Sequence, residues 1–121
     1  MWQRIKILFV FTVLISNIAC GRVCSDLPMQ YTSYNEALYT VKQTTFLFID
    51  EIGLLNSSWI ISLKYYSCDR ISGFMIIGTK EREYIHQAVP IQIWKQLKEA
   101  VSKGSFYNKV FKGKYQLTLS K

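Results

Sequence analysis

Histidine, proline, glycine and acidic side chains are all scarce in this chain, and each shortage narrows its chemistry. A single histidine, His86, in 121 residues leaves no imidazole set for a metal, and Cys24 and Cys68 beside one imidazole make a poor zinc site. The glycines Gly53, Gly73, Gly78, Gly104 and Gly113 stand alone, so no loop cradles a phosphate. Two prolines and six glycines exclude a collagen-like chain, and a hydrophobic share of 50% excludes wholesale disorder. The length suffices for one compact domain and leaves no room for a nucleotide-binding fold joined to a substrate domain.

Acids number eight against fifteen Lys and Arg, a formal charge of +7. The excess is uneven: residues 57–121 hold eleven cations and four acids, whereas residues 23–56 hold Lys42 against Asp26, Glu36, Asp50 and Glu51. A basic half attracts nucleic acid, anionic lipid or an acidic protein face, and scattered lysines equally suit a solvated surface.

The opening residues resemble an address. Arg4 and Lys6 precede an uncharged apolar run at 7–15 (ILFVFTVLI), within the length of a signal-peptide core and too short to span a bilayer comfortably. Two processing routes stay open. Ala19 and Gly21 suit cleavage after a 1–21 signal peptide. Alternatively, residues 17–20 (NIAC) resemble a bacterial lipoprotein box after a 1–19 leader, with Cys20 lipidated and Asn17 where leucine is usual. Either route exports the chain to the periplasm or to a membrane-anchored position, and either leaves Cys24 and Cys68 as an even pair in an oxidising compartment. A disulfide between them is expected.

Residues 25–33 are polar and contain Pro28, which reads as a tether. Ser33 and Glu36 have capping-box spacing, and Ala37, Leu38, Val41, Thr45, Phe48 and Ile52 recur every three or four residues, predicting a helix to about Ile52. The β-prone stretch 44–49 (TTFLFI) makes a strand there the alternative. Residues 59–66, 74–78 and 83–87 read as three strands of an antiparallel meander. Pro90 opens a helix carrying Ile91, Trp94, Leu97 and Val101 on one stripe; a left-handed cap at Gly104 ends it. Residues 105–110 predict a short second helix, and 115–119 an edge strand. The expected fold is α+β: a small three-stranded antiparallel sheet packed with a C-terminal helix and an additional N-terminal helix. A helical arm, 22–56, precedes a domain at 57–121.

Several of these residues together resemble the KTSC domain, named for the C-terminal extension of some lysyl-tRNA synthetases and found also as a stand-alone bacterial protein. They are the run Ser57-Ser58-Trp59-Ile60, Tyr84, Val89-Pro90, Trp94, Ala100, and Ser102, Gly104, Phe106, Tyr107 and Asn108 followed by Lys112-Gly113-Lys114-Tyr115. The resemblance covers about residues 57–117. The family's central Y-x-Y becomes Tyr84-Ile85-His86 here, so any ligand chemistry at the second position is altered. RNA binding has been suggested for the family; fold analogy alone does not transfer function.

Tyr65, Tyr66, Tyr84, Phe106, Tyr107 and Tyr115 lie among Lys64, Arg82, Lys109, Lys112 and Lys114. Such interleaving serves base stacking along a phosphate track, or a protein hot spot. Trp59, Trp94 and Phe106 read as core. The candidate contact set is Tyr84, His86, Tyr107, Asn108, Lys109, Lys112, Lys114 and Tyr115, with no catalytic residue, metal ligand or cofactor expected. The expected role is an exported, non-catalytic interaction module of the bacterial envelope. Its partner would be an unidentified envelope protein or surface, with a lipid anchor as the route to the membrane. RNA or single-stranded DNA binding is the alternative. A cysteine-dependent enzyme built on Cys68 and His86 is a third and weaker option.

Overall fold

The computed structural model describes residues 21–53 and 55–121. The expected leader at 1–20 and its lipidation residue, Cys20, lie outside the described residues. Strands β1 (Arg22–Val23), β2 (Thr44–Thr45), β3 (Phe48–Glu51), β4 (Ile60–Ser67), β5 (Ser72–Thr79) and β6 (Glu83–Pro90) alternate with helices α1 (Tyr34–Gln43), α2 (Ile91–Glu99) and α3 (Lys103–Phe106). A short 3-10 turn at Cys24–Asp26 and a π turn at Tyr107–Phe111 complete the chain. The class is α+β, as expected, but the antiparallel sheet has four strands in the order β3-β4-β5-β6, and β1 and β2 form a separate parallel pair.

The extra strand comes from the segment predicted as the end of the first helix. Helix α1 starts where expected, with the Ser33 hydroxyl accepting from Glu36 N at 3.1 Å, while the Glu36 carboxylate takes Thr32 N at 2.6 Å. It stops at Gln43 rather than Ile52. Thr44 folds its hydroxyl onto the Thr40 carbonyl at 2.7 Å, and the β-branched and aromatic residues that follow favour extended backbone. Residues 48–51 then pair with β4, Phe48 opposite Ser67 and Glu51 opposite Lys64. Local β preference outweighs the helical period here.

The sheet is covered on both faces. Consecutive residues part company: Tyr66, Phe74, Ile76 and Ile85 join Tyr31, Ala37 and Val41 in one cluster, whereas Leu63, Tyr65, Met75 and Ile77 join Trp94, Leu97 and Phe111 in the other. Alternation along a strand sends neighbours to opposite faces, and two buried faces explain the unbroken apolar run at 74–77. A one-residue register slip in β6 places Val89 opposite Gly73 and His86 opposite Met75. Ala88 takes the extra position with φ 55°, so Val89 and His86 both reach the α2 side.

The 25–33 segment is no loose tether. Tyr31 is 1% exposed, its N–H donates to the Thr118 carbonyl at 2.9 Å and its carbonyl accepts from Ser120 N at 2.8 Å. The predicted edge strand at 115–119 is reduced to this single bridge, Tyr31 to Leu119. Gly104 is not the left-handed cap but part of α3, where a Cβ would lie 2.6 Å from Trp59 Nε1; the close approach of the indole requires glycine. Helix α2 is anchored to β3 through Asp50, whose carboxylate accepts from Trp94 Nε1 at 2.9 Å and Lys98 Nζ at 2.6 Å.

Cys24 and Cys68 are joined, with Cα atoms 5.7 Å apart across 44 residues of sequence. The bridge ties the start of the arm to the β4–β5 turn. Closing a loop of that length contributes about 4 kcal/mol in the chain-entropy model. Chemical denaturation with and without reductant is expected to show a loss approaching that figure, about 2–4 kcal/mol; equal midpoints would mean that arm packing alone holds the N-terminal segment.

Candidate binding groove

Two adjoining clefts open on the side where α1, β6 and the C-terminal segment meet. The first, about 600 Å³, lies between Tyr34, Asn35 and Leu38 of α1 and the β6 residues around Tyr84, with Lys112 and Gln116 opposite. The second, about 480 Å³, lies between Trp59, the β5–β6 turn and Asn108. Tyr84, Tyr107 and Lys112 border both, so the clefts form one groove divided by a saddle of two phenols and an ammonium.

Local structure sets each group. The β5–β6 turn is closed by Thr79, whose N–H and hydroxyl both donate to the Arg82 carbonyl at 2.9 Å. Arg82 then lays its guanidinium over the Tyr84 ring, 5.1 Å from the centroid, a cation–π contact that restrains both groups. The π turn swings Tyr107 between Trp59, at 5.6 Å, and Phe111, stacked at 5.6 Å and 9°. Gly113, with φ 78°, reverses the chain after Lys112, a conformation that costs glycine little. Of the groove's acids, Glu83 is paired with Lys42 at 2.6 Å, while Lys80, Arg82 and Lys112 enter no ion pair among the described residues.

His86 forms the floor. Only 8% exposed, it shares a 2.8 Å hydrogen bond between Nε2 and the Tyr107 hydroxyl, its direction set by the tautomer. Nδ1 is buried without a hydrogen-bond partner. Burial disfavours the charged imidazole and pushes it below its ordinary value of 6.5, against the opposing pull of the Tyr115 and Lys114 backbone. Burial, with a smaller contribution from the neighbouring Tyr84, raises Tyr107 above its usual range.

The groove therefore gathers Tyr84, His86, Tyr107, Asn108 and Lys112 from the expected contact set. Lys109 and Lys114 are exposed outside it, and Tyr115 packs its ring on Phe111 at 5.6 Å. Tyr65 and Tyr66 are core residues, 0% and 9% exposed. Trp94 is buried as expected, whereas Trp59 and Phe106 are half-buried. Cys68 is committed to its bridge and His86 to Tyr107. Among the described residues no group of three His, Cys, Asp or Glu side chains could hold a metal, and no helix is long and apolar enough to cross a membrane. The α1 wall escaped the sequence reading; its only signal was that Tyr34 and Asn35 stand off the Ala37-Leu38-Val41 stripe.

A small α+β sheet covered on both faces, with a π turn over its last strand, describes the class. Residues 78–115 match the KTSC domain, the same family that the residues at 84–90 and 102–115 resemble. The crystal structure of a KTSC domain protein from Yersinia pestis is similar at 27% identity, covering 61% of this chain and 100% of that one, with a TM-score of 0.49. No curated protein matches the chain.

Because the folded state prefers neutral His86, its contribution to stability is complete above pH 6.5 and declines as pH falls through the lower folded value. Proton NMR is expected to place the imidazole below 6.5. A His86→Tyr variant, which removes the titrating ring, should lack an acid-side slope of up to about 1.4 kcal/mol per pH unit. Parallel stability curves would contradict the buried neutral ring.

Proposed function

We propose that the chain is an exported, non-catalytic interaction module of the bacterial envelope, periplasmic or held by a lipid on Cys20, that binds a protein or envelope surface through its basic, tyrosine-lined groove. The observation that carries this is the Cys24–Cys68 bridge: a bond of this kind persists in oxidising compartments, and it fastens the same arm whose α1 residues wall the groove. The apolar leader at 7–15 points the same way. The groove offers aromatic area, side-chain amides and unpaired cations, a combination suited to recognition. Cys68 is held in the bridge and His86 is bonded to Tyr107, so the two do not form a thiol–imidazole pair.

A second class is favoured by one observation: the exposed ring of Tyr84 beside Lys112 suits base stacking, as in single-strand binders. Fractionation of cells expressing the full sequence, with mass analysis and thiol alkylation without reductant, separates the two. The expected result is a chain in the envelope fraction, shortened by its leader or acylated at Cys20, with Cys24 and Cys68 refractory to alkylation. A cytosolic chain retaining Met1, with both thiols reactive and a steep salt dependence of RNA binding, would replace the envelope role with nucleic-acid binding.

A further inference from the structure

We propose, resting on the envelope role above, that the groove is a binding site for an acidic glycan, a chain of sugar rings carrying spaced carboxylates. The two clefts lie end to end across the Tyr84–Tyr107–Lys112 saddle, so the site accepts an extended ligand in at least two segments. Tyr34 and Tyr84 present ring surface at 52% and 38% exposure, which suits the apolar C–H face of a sugar ring. Asn35 and Gln116 in the first cleft, and Asn108 and Ser58 in the second, each supply donors and acceptors together. That is the inventory neighbouring hydroxyls require.

Charge decides between polymers. Lys80, Arg82 and Lys112 outnumber the acids, Glu81 and the already paired Glu83, so the groove favours an anion. Yet the acids are interspersed with the cations, which lowers the number of phosphates the groove could neutralise along a dense phosphate chain. Sparse carboxylates fit better: Arg82, restrained on the Tyr84 ring at 5.1 Å, offers a planar fork suited to one carboxylate, and Lys112 a second charge. An extended peptide would seek the backbone of β6, but at Gln87 that edge is already used, its N–H donating to the Tyr115 carbonyl at 3.0 Å. Strand addition along the full length of β6 is interrupted at that point.

The test uses the mature oxidised protein and oligogalacturonate, with its methyl-esterified form, a single-stranded RNA and polyglutamate as comparison probes. Calorimetry should show oligogalacturonate binding, at least about tenfold weaker after esterification, and weakened about threefold by Lys112→Gln, an exposed change that spares the fold. Amide shifts should cluster at Tyr34, Tyr84 and Asn108. Absence of binding, indifference to esterification, shifts outside the groove, or tighter binding of polyglutamate would overturn the glycan site while leaving the envelope role standing. Tighter RNA binding by a chain that fractionates with the cytosol would overturn both.

Discussion

The Cys24–Cys68 bond decides how this small chain stays folded. The central sheet places apolar side chains on both faces, and a two-sided sheet needs two covers. The C-terminal helices cover one side through Trp94, Leu97 and Phe111. The other side, with Tyr66, Phe74 and Ile76, is covered by the arm, whose own contribution is modest: α1 buries only Ala37, Thr40 and Val41, and Tyr31 and Phe46 add two rings. A ten-residue helix with so little burial is marginal by itself. The covalent tie at the arm's first turn restricts how far the unfolded chain can separate arm from sheet, and so offsets part of the ordering entropy.

The groove inherits that arrangement. One wall belongs to the arm and the other to the segment that matches the KTSC domain, and the Lys42–Glu83 ion pair and the bond from Gln87 Nε2 to the Met29 carbonyl, at 2.6 and 3.2 Å, cross the junction. Exposed contacts of this sort contribute a few tenths of a kcal/mol each, so they refine the fit of the walls without fixing it. The floor is more rigid: His86, Tyr107 and Phe111 interlock with centroids 5.4–5.6 Å apart. A binding surface with one rigid floor and one tethered wall shares its stability with the bridge.

Much of this was legible in the residues. The Ser33 cap, the three long strands, Pro90 at the start of α2 and the cysteine pair all follow from local chemistry that tertiary packing did not override. Residues 44–52 were misjudged because the same apolar positions satisfy a helical period and a strand, and pairing with β4 decides between them only in three dimensions. Tyr31 was hidden among polar neighbours; its burial depends on Thr118 and Ser120, almost ninety residues away. Tyr65 and Tyr66 resembled a surface pair because a strand buried on both faces erases the polar alternation that normally marks the inside. Half of the groove was readable, namely the Tyr84, Tyr107 and Lys112 saddle, but α1's wall was not, since nothing local shows which exposed helix face meets a distant strand.

Hydrogen exchange on the intact protein, oxidised and then reduced, bears most directly on the role of the bridge. Opening the Cys24–Cys68 bond should speed exchange at α1 amides about tenfold or more, while α2 amides change far less, because local opening of the arm precedes global unfolding. Equal acceleration in both helices, or none in either, would show that the arm holds its place on the sheet without the disulfide.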